Sequence, residues 1–268
     1  MMQWFRDDLK PLMDVKNPFR IAADLQDQVF RQVANRKTLR FSYRQKTYFI
    51  KLHFATGWKE IIKNLVELRL PIVSALNEYA AIRHCEQHGI KTMTPAAVYK
   101  QGINPATCRS FLITDELSDM VDLETLAANW QTYIDSFKTK RRLIKAVAKI
   151  AAAMFGSGMN HRDFYICHFM LKSDTLYDEI PTLFLIDLHR AQIRKKVPRR
   201  WLIKDLAGLY FSTMDLPLTR RDYWYFLKEF TGKPAKFALS NQSKFWAKVR
   251  KKADALYKKE SRKKVYNR

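Results

Sequence analysis

Residues 158–171 read GMNHRDFYICHFML, and this stretch decides how the rest of the chain is interpreted. A long helical pattern over residues 138–155 precedes it, and a short apolar stretch over 182–186, typical of a strand, follows it. The consecutive residues His-Arg-Asp at 161–163 therefore lie in a loop between two regular elements. Such loops carry catalytic groups more often than the elements that they connect.

The His-Arg-Asp triplet has the layout of a protein-kinase catalytic loop, in which an Asn follows five residues after the Asp. Here the fifth residue after Asp163 is His168. Three further residues occur in the order that a kinase requires, namely Lys51 on a strand, Glu78 on a helix and Asp187 after a strand. Each residue alone is a weak signal, but their order on elements of the right type predicts a kinase.

Phosphoryl transfer explains why these residue types are needed. Asp163 is the candidate that orients the attacking hydroxyl, and Lys51 is the candidate that binds the phosphates of ATP. Glu78 is expected to pair with Lys51 and hold it in place. Asp187 is the candidate ligand for Mg²⁺, because a hard cation prefers oxygen ligands. ATP and Mg²⁺ are thus the expected cofactors.

The N-terminal half of the chain has strand character. Apolar and polar residues alternate over 38–54, with a turn at 44–46, which predicts a β-hairpin. A further strand is predicted over 109–114, and Asp115 and Leu117, directly after it, are further candidates for ATP binding. Helices are predicted over residues 59–70 and 75–87, with the core positions of the first at Ile61, Ile62, Leu65, Leu68 and Leu70.

The C-terminal part reads as mostly helical from residue 201 onward. Strands followed by helices predict an α+β protein with a bilobal, protein-kinase-like fold. We expect one catalytic domain over residues 1–268, with a small β-rich N-lobe at about 20–117 and a larger helical C-lobe at about 118–268. With 268 residues, of which 47% are hydrophobic, the chain can bury a sizeable core.

Some features depart from the kinase pattern. No G-x-G-x-x-G precedes the hairpin, where the corresponding turn lies near residues 33–38 and offers Arg36 and Lys37 as charges. Asp187 is followed by Leu-His rather than Phe-Gly. Phe49 occupies a position, two before Lys51, where a small residue would leave room for adenine. These departures keep a pseudokinase scaffold open as an alternative.

The charge of the chain indicates an anionic partner. The formal net charge is +23, which suits nucleic acid, acidic lipid head groups, a phosphorylated substrate or a small acidic protein such as acyl carrier protein. No RNP, KH or zinc pattern is present, so nucleic acid is not expected, although a basic nucleic-acid-binding module is the alternative from another class.

The three cysteines show neither metal spacing nor a disulfide framework, which fits a reducing cytoplasm. No apolar run approaches the roughly 18 residues of a membrane span, and no signal peptide is evident, so any membrane contact is expected to be peripheral.

Two basic segments are candidates for binding. The run after Asp187 is either an acceptor-binding surface, because Arg grips carboxylates and phosphates bidentately, or a solvated face; it comprises Arg190, Arg194, Lys195, Lys196, Arg199 and Arg200. The stretch 244–268 is a basic amphipathic pattern that either lies on a membrane surface or packs on the C-lobe. Its apolar face would comprise Phe245, Trp246, Val249, Ala253, Leu256 and Tyr257.

The chain resembles the lipopolysaccharide kinases, and within them the core heptose(I) kinases of the WaaP/RfaP type. The residues that carry this resemblance are NHRDFYICHFML at 160–171, LIDLHRAQIR at 185–194, VPRRWLIKDLAGLYFS at 197–212, and KTLRF and YFIKLHF in the hairpin. The similarity covers about residues 18–230. The resemblance implies a protein-kinase-like fold and phosphorylation of the first heptose of the lipopolysaccharide inner core, at the cytoplasmic face of the inner membrane. Asp163 matches the catalytic aspartate of the family, and His168 in place of Asn is a feature of the family.

The sequence allows more than one acceptor and more than one role for His168. The acceptor could be a protein hydroxyl such as Tyr, or a Kdo sugar, on the same fold. Imidazole suits Zn or Cu better than Mg²⁺, so His168 is a weak candidate metal ligand. It could instead hydrogen-bond Asp163 or Asp187, or simply be a packed histidine. Asp205 is expected to hydrogen-bond the catalytic-loop backbone.

Overall fold

The computed structural model describes residues 2–26, 28–33, 35–66, 74–134 and 136–266, without the side chains of 64, 65 and 263–266. The chain divides into two compact units. The N-terminal unit comprises Met1–His84, Met93–Ser118 and Leu188–Arg190. The C-terminal unit comprises Cys85–Thr92, Asp119–Asp187 and Ala191–Arg268.

The N-terminal unit contains a six-stranded antiparallel sheet. Its strands in chain order are β1 (Met2–Phe5), β2 (Val29–Val33), β3 (Arg36–Tyr43), β4 (Lys46–His53), β5 (Pro95–Gln101) and β6 (Arg109–Asp115). Their order across the sheet is β1-β5-β6-β4-β3-β2. The predicted hairpin is confirmed as β3 and β4, and the predicted strand over 109–114 is confirmed as β6.

The hairpin has a tight turn and one buried face. Tyr43 pairs with Lys46, and the two residues between them, Arg44 and Gln45, have φ values of 48° and 63°. Two consecutive positive φ angles are typical of a type I′ turn, whose twist matches that of the flanking strands. Because side chains alternate along a strand, one face of β4 is buried in the core, and Lys51 lies on the other.

Four helices accompany the sheet: α1 (Lys10–Met13), α2 (Pro18–Asp24), α3 (Trp58–Val66) and α4 (Leu76–Gln87), of which the last extends into the C-terminal unit. The end predicted for α3 lies outside the described residues, as do Leu68 and Leu70, and the side chain of Leu65 is not described. Ile61 is buried as predicted, but the prediction for Ile62 was wrong. Trp58, Ile62 and Val66 are 55%, 56% and 79% exposed, because residues four apart share a face that differs from that of Ile61.

The C-terminal unit contains two small sheets and most of the helices. A three-stranded sheet has the order β10-β9-β7 and a two-stranded sheet pairs β11 with β8. The strands are β7 (Met120–Asp122), β8 (Met159–Asn160), β9 (Phe169–Lys172), β10 (Leu183–Leu185) and β11 (Gln192–Ile193). The helices are α5 (Leu123–Ala128), α6 (Trp130–Tyr133), α7 (Phe137–Gly156), α8 (Arg199–Phe211), α9 (Arg220–Thr231), α10 (Ala235–Asn241) and α11 (Ser243–Tyr266).

The long basic helix α11 packs on the C-terminal unit. Its residues Phe245, Val249 and Ala253 are buried in one core cluster with Leu206 and Ala207 of α8. Burial of a side chain such as Phe245 stabilises a fold by about 1.5–3 kcal/mol. The packed-helix alternative is therefore correct, and a membrane contact through this apolar face is wrong, because the face is already covered.

The C-terminal unit also contains an apolar cavity of about 640 Å³. It lies among α5, α7, α8, α9 and α11, and its lining includes Leu126, Val147, Leu209, Phe226 and Trp246. A cavity of this size and lining is typical of sites that take an apolar ligand.

Candidate active site

Lys51 of β4 forms an ion pair with Glu78 of α4. The Lys51 Nζ atom donates to Glu78 Oε1 at 2.6 Å, and the Glu78 side chain is only 1% exposed. A buried carboxylate that lost its cation would be an uncompensated charge, which is strongly destabilising. The pair therefore holds the Lys51 ammonium at one place on the sheet, as the sequence predicted.

The sheet face that carries Lys51 is cationic. Arg36 of β3 lies directly opposite His53 of β4, and His53 points to the same face as Lys51 because it is two residues further along. His53 is buried, and its Nδ1 atom makes no hydrogen bond with the described residues. Burial, followed by the positive charges of Arg36, Lys51 and His189, lowers the pKa of His53 to about 3. This neutral imidazole could not be predicted from the sequence, where His53 is an ordinary residue of the strand pattern.

The other ATP candidates of the N-terminal unit lie at the end of β6. The carboxylate of Asp115 accepts hydrogen bonds from Arg6 at 2.6 and 2.8 Å, so its side chain is engaged within the unit. Leu117 follows β6 and is half-buried. Phe49, which raised the question of room for adenine, packs on Phe30 of β2 with 5.2 Å between ring centroids.

The predicted catalytic loop begins at a glycine that no other residue could replace without a shift of the backbone. Gly158 has a φ of 84°, and a Cβ atom there would lie 1.8 Å from the backbone oxygen of Arg194. The loop then passes through the short strand β8 to His161, Arg162 and Asp163. Arg162 has a φ of 75°, a conformation that persists in a non-glycine residue only where its surroundings enforce it.

Asp205 of α8 supplies much of that enforcement. Its carboxylate accepts hydrogen bonds from the backbone N–H of His161 at 2.7 Å and from that of Arg162 at 3.0 Å. The prediction that Asp205 supports the loop backbone is thus confirmed. Burial is the main influence on this carboxyl and raises its pKa to about 6, while the two backbone donors oppose the rise.

His161 is a structural residue of the loop. It is fully buried, and its Nε2 atom lies 2.9 Å from the backbone oxygen of Ile186. Because a carbonyl oxygen only accepts, Nε2 carries the proton. Burial lowers the pKa of His161 to about 4, so the ring is neutral at physiological pH. It stacks on the ring of His168, with centroids 5.3 Å apart and planes at 14°.

His168 lies between Asp163 and Asp187, the two aspartates that the sequence predicts to act in the site. Its Nδ1 atom lies 2.6 Å from the backbone oxygen of Asp163, and its Nε2 atom lies 3.6 Å from Asp187 Oδ2. The hydrogen bond to Asp163 confirms one of the alternatives predicted for His168, whereas 3.6 Å is too long for a hydrogen bond to Asp187. With Nδ1 donating to the backbone oxygen of Asp163, the ring supports the loop. Asp187 itself has a φ of 62°.

Lys204 of α8 reaches the same loop, a contact that could not be predicted from the sequence. Its ammonium donates to the backbone oxygen of Arg162 and lies 3.9 Å from Asp163 Oδ1. No local pattern marks such a contact, since Lys204 lies 41 positions after Asp163 in the chain. The one feature of the sequence that points to this contact is the position of Lys204 directly before Asp205 on α8.

The basic run has residues of different kinds. Arg194 donates to Asn160 at 2.8 Å and to Gln192 at 2.7 Å, so its guanidinium helps to hold β8 and β11. The guanidinium of Arg199 lies over the ring of Phe245 at 5.2 Å. Lys195, Lys196 and Arg200 are exposed. Arg190 belongs to the N-terminal unit and the other five residues to the C-terminal unit.

Among the described residues, no helix combines the length and the apolar character needed to cross a bilayer. Over the same residues, no group of three or more His, Cys, Asp or Glu side chains is placed to hold a metal ion.

Comparisons with known proteins agree with the resemblance found in the sequence. A lipopolysaccharide core heptose(I) kinase WaaP of Escherichia coli is 43% identical over 249 residues, which cover 92% of this chain and 94% of that protein. The protein of the same name from Pseudomonas aeruginosa is 40% identical over 258 residues, or 96% of each chain. A solved structure described as WaaP in complex with acyl carrier protein is 37% identical, has a TM-score of 0.81, and is matched over 96% of this chain and 100% of that one.

The structural similarity, with the β-rich N-terminal unit and the helical C-terminal unit, confirms the predicted α+β fold class. The sequence pattern that defines the lipopolysaccharide kinase (Kdo/WaaP) family matches residues 22–230. With that match and relatives above 40% identity over most of the chain, this protein belongs to the lipopolysaccharide kinase (Kdo/WaaP) family.

Proposed function

We propose that this protein is an ATP-dependent kinase that phosphorylates the first heptose of the inner core of nascent lipopolysaccharide, with its two units acting as one catalytic domain. The observation that carries the proposal is the identity of 40–43% to heptose(I) kinases over more than nine-tenths of the chain. The geometry of the loop agrees with the proposal, because side chains of Asp205, Lys204 and His168 hydrogen-bond the backbone at or next to Asp163.

Each site residue has a proposed role. Asp163 orients the heptose hydroxyl and receives its proton. Lys51, held by Glu78, binds the phosphates of ATP. Asp115 and Leu117 contact the nucleotide through their main chain, because the Asp115 side chain is engaged by Arg6.

Asp187 is the proposed ligand for Mg²⁺. Magnesium sites of this kind use one or two carboxylates together with substrate phosphates, and the Asp187 carboxylate is partly exposed. When bound, the ion would offset the charge of the ATP phosphates. His168 does not fit the ligand set of this ion, which prefers oxygen. We propose that it instead supports the loop through its hydrogen bond to the backbone oxygen of Asp163.

The proposal is tested by ATP turnover with purified inner-core acceptor. Asp163→Ala should lower kcat by roughly 10²-fold or more, as for the loss of a positioned acid–base group, and mass spectrometry should place the phosphate on heptose. Asp174→Ala is the matched control, because Asp174 is an exposed carboxylate of the same unit. Unchanged turnover in Asp163→Ala would contradict the catalytic assignment.

The same assay separates the alternatives on this fold. Phosphate found on Kdo would indicate a Kdo kinase, and phosphate found on protein but never on sugar would indicate a protein kinase. A chain that binds ATP without any turnover would be a scaffold. Family membership favours the sugar acceptor over these alternatives.

Lys195 and Lys196 are the proposed acceptor-binding residues of the basic run, with Arg190, Arg199 and Arg200 beside them in sequence. Replacing Lys195 and Lys196 together by Gln should raise the KM for the acceptor and leave that for ATP unchanged. Arg194 is kept in this experiment because its loss would disturb β8 as well. If neither KM changes, the run is a solvated face.

We further propose that the protein binds an acidic acyl carrier protein. Its charge of +23 suits such a partner, and a solved relative is described in complex with acyl carrier protein. The apolar cavity of about 640 Å³ offers a place for an acyl chain. Ala127 lines it, so Ala127→Phe should weaken binding of the acylated carrier and spare the unacylated one. Equal affinity of both carriers for the wild type would contradict a role of the cavity.

We also propose that the protein works in the cytoplasm, peripherally at the cytoplasmic face of the inner membrane, where its lipid-anchored acceptor is held. The exposed stripe of Trp58, Ile62 and Val66, next to the exposed Lys59 and Lys63, has the character of an interfacial helix. Trp58→Ser with Ile62→Ser should reduce flotation with anionic vesicles, whereas Ile180→Ser, an exposed isoleucine of the other unit, should not. Absence of flotation for the wild type would contradict this localisation.

A further inference from the structure

Two adjacent residues of α8 hold the two peptide groups that flank Arg162. Asp205 accepts hydrogen bonds from the backbone N–H groups of His161 and Arg162. The ammonium of Lys204 donates to the backbone carbonyl of Arg162. The positive φ of Arg162 is thus fixed from both sides by one turn of one helix.

The same contact brings a positive charge to the catalytic aspartate. Lys204 Nζ lies 3.9 Å from Asp163 Oδ1, which is too far for a hydrogen bond and close enough for a strong Coulomb interaction. The two side chains are only 28% and 19% exposed, so water screens their charges less than it would at an open surface. A phosphoryl group beside the Asp163 carboxylate would therefore also lie beside this ammonium.

Phosphoryl transfer concentrates negative charge at that place. The acceptor hydroxyl oxygen forms a bond to the γ-phosphorus, while the bond from this phosphorus to the bridging oxygen of ADP breaks. The hydroxyl proton goes to Asp163, and ADP leaves with the electron pair. Throughout the transfer, three peripheral oxygens of the phosphoryl group carry negative charge next to a carboxylate, and a fixed cation there stabilises the transition state.

We propose that Lys204 binds the phosphoryl group during its transfer and offsets the charge on its peripheral oxygens. The proposal rests on the proposed function, because it requires Asp163 to be the residue that receives the hydroxyl proton. In this proposal α8 contributes two residues that have different roles. Asp205 positions the loop backbone, whereas Lys204 positions the loop and also contacts the reacting group.

A purely structural role of Lys204 predicts a different result on mutation. In that case only the hydrogen bond to the Arg162 carbonyl matters, and any side chain that can donate there would suffice. Lys204→Gln separates the two roles, since an amide can still donate to the carbonyl but carries no charge. Lys204→Arg keeps the charge and changes the shape.

The experiment measures kcat and both KM values for the full chain, with ATP and inner-core acceptor, together with the thermal unfolding midpoint. Lys204→Gln should lower kcat by about 10²-fold, as for the loss of one transition-state donor, with the KM for ATP and the unfolding midpoint little changed. Lys204→Arg should recover about tenfold of that loss. Lys149→Gln, which removes one exposed charge from α7, should behave as the wild type.

Two results would overturn the inference. One is a kcat for Lys204→Gln near the wild-type value, which would leave Lys204 a structural residue. The other is a lower unfolding midpoint and a lower kcat in Lys204→Gln, with both restored together in Lys204→Arg, because activity would then follow stability. If the wild type transfers no phosphate to the core acceptor, the proposed function fails instead. The Lys204 comparison is then made on ATP hydrolysis, where water is the acceptor and the same loss is expected.

Discussion

The turn between β3 and β4 and the catalytic region both contain non-glycine residues with positive φ, but different forces hold them. Arg44 and Gln45 lie in an exposed turn, where the register of the hairpin sets their conformation. Arg162 and Asp187 lie among buried side chains, and Asp205 accepts a hydrogen bond from the backbone N–H of Arg162. Substitutions could therefore relieve the strain at the turn, whereas the strain at Arg162 is maintained by the groups that hold the backbone next to Asp163.

Removing the support of the catalytic loop should have the largest effect. Asp205→Ala leaves two buried N–H groups without their acceptor, at a cost of about 1–3 kcal/mol each, so the free energy of unfolding should fall by about 3 kcal/mol. The loop should also relax and lower kcat by roughly 10²-fold. Denaturant unfolding and steady-state kinetics measure the two effects. A variant that loses stability but keeps its kcat would show that the strain does not serve the site.

Acid should act on one buried histidine in each unit. His53 and His161 have pKa values of about 3 and about 4 in the folded protein, against about 6.5 in an unfolded chain. Between about pH 6.5 and 4 the unfolded chain therefore binds protons that the folded chain does not, and stability falls as the pH is lowered. At pH 5 each histidine should cost about 2 kcal/mol relative to pH 7.

Measuring the free energy of unfolding from pH 7 to pH 5 checks this. His53→Gln should make the dependence clearly shallower. The exposed histidine variant His88→Gln should leave it unchanged. An unchanged slope in His53→Gln would show that this imidazole gains its proton without unfolding.

The ion pair on β4 offers a smaller perturbation in the N-terminal unit. Glu78→Gln keeps the shape of the side chain and removes the charge that holds Lys51. We expect kcat/KM for ATP to fall about tenfold, because a misplaced ammonium binds the phosphates less well. Glu60→Gln, an exposed carboxylate on α3, serves as the control. Equal values for both variants would show that Lys51 needs no partner.

Relieving the turn should have the smallest effect and the opposite sign. Arg44→Asn with Gln45→Gly supplies the residues that a type I′ turn prefers and should raise the free energy of unfolding by about 0.5–1 kcal/mol. Activity should not change, since the turn serves only the hairpin. A loss of activity in this variant would show that the turn and the site are coupled, and would contradict the view that strain at the turn serves only the hairpin.

The residues that sequence could identify are those whose order on successive elements is informative. Lys51, Glu78, Asp163 and Asp187 each follow or occupy an element with a clear period, so their positions in the fold could be predicted. β5 was missed because its first five residues are all buried and therefore lack the alternation that marks a half-exposed strand. Lys204 was missed because its contact with the loop depends on where α8 packs.

The surroundings of the basic helix α11 could not be predicted from the sequence either. Its sequence allowed either a membrane surface or a packed helix, since both need one apolar face and one basic face. Only the position of Leu206 and Ala207 on α8, which cover Phe245, decides between them. The periodicity of the sequence identifies the apolar face of a helix, but only the packing of the fold shows what covers that face.

The pairing of β8 with β11 fixes the number of residues between Asp187 and Arg194. Arg194 N donates to the Gly158 carbonyl at 3.0 Å, and Met159 pairs with Ile193. One residue inserted or deleted between Asp187 and Arg194 would slip this register and turn β11 over. The number of residues between Asp187 and Arg194 must therefore stay constant if β11 is to pair with β8, whereas Lys195 and Lys196 follow the paired residues and can be replaced without breaking this pairing.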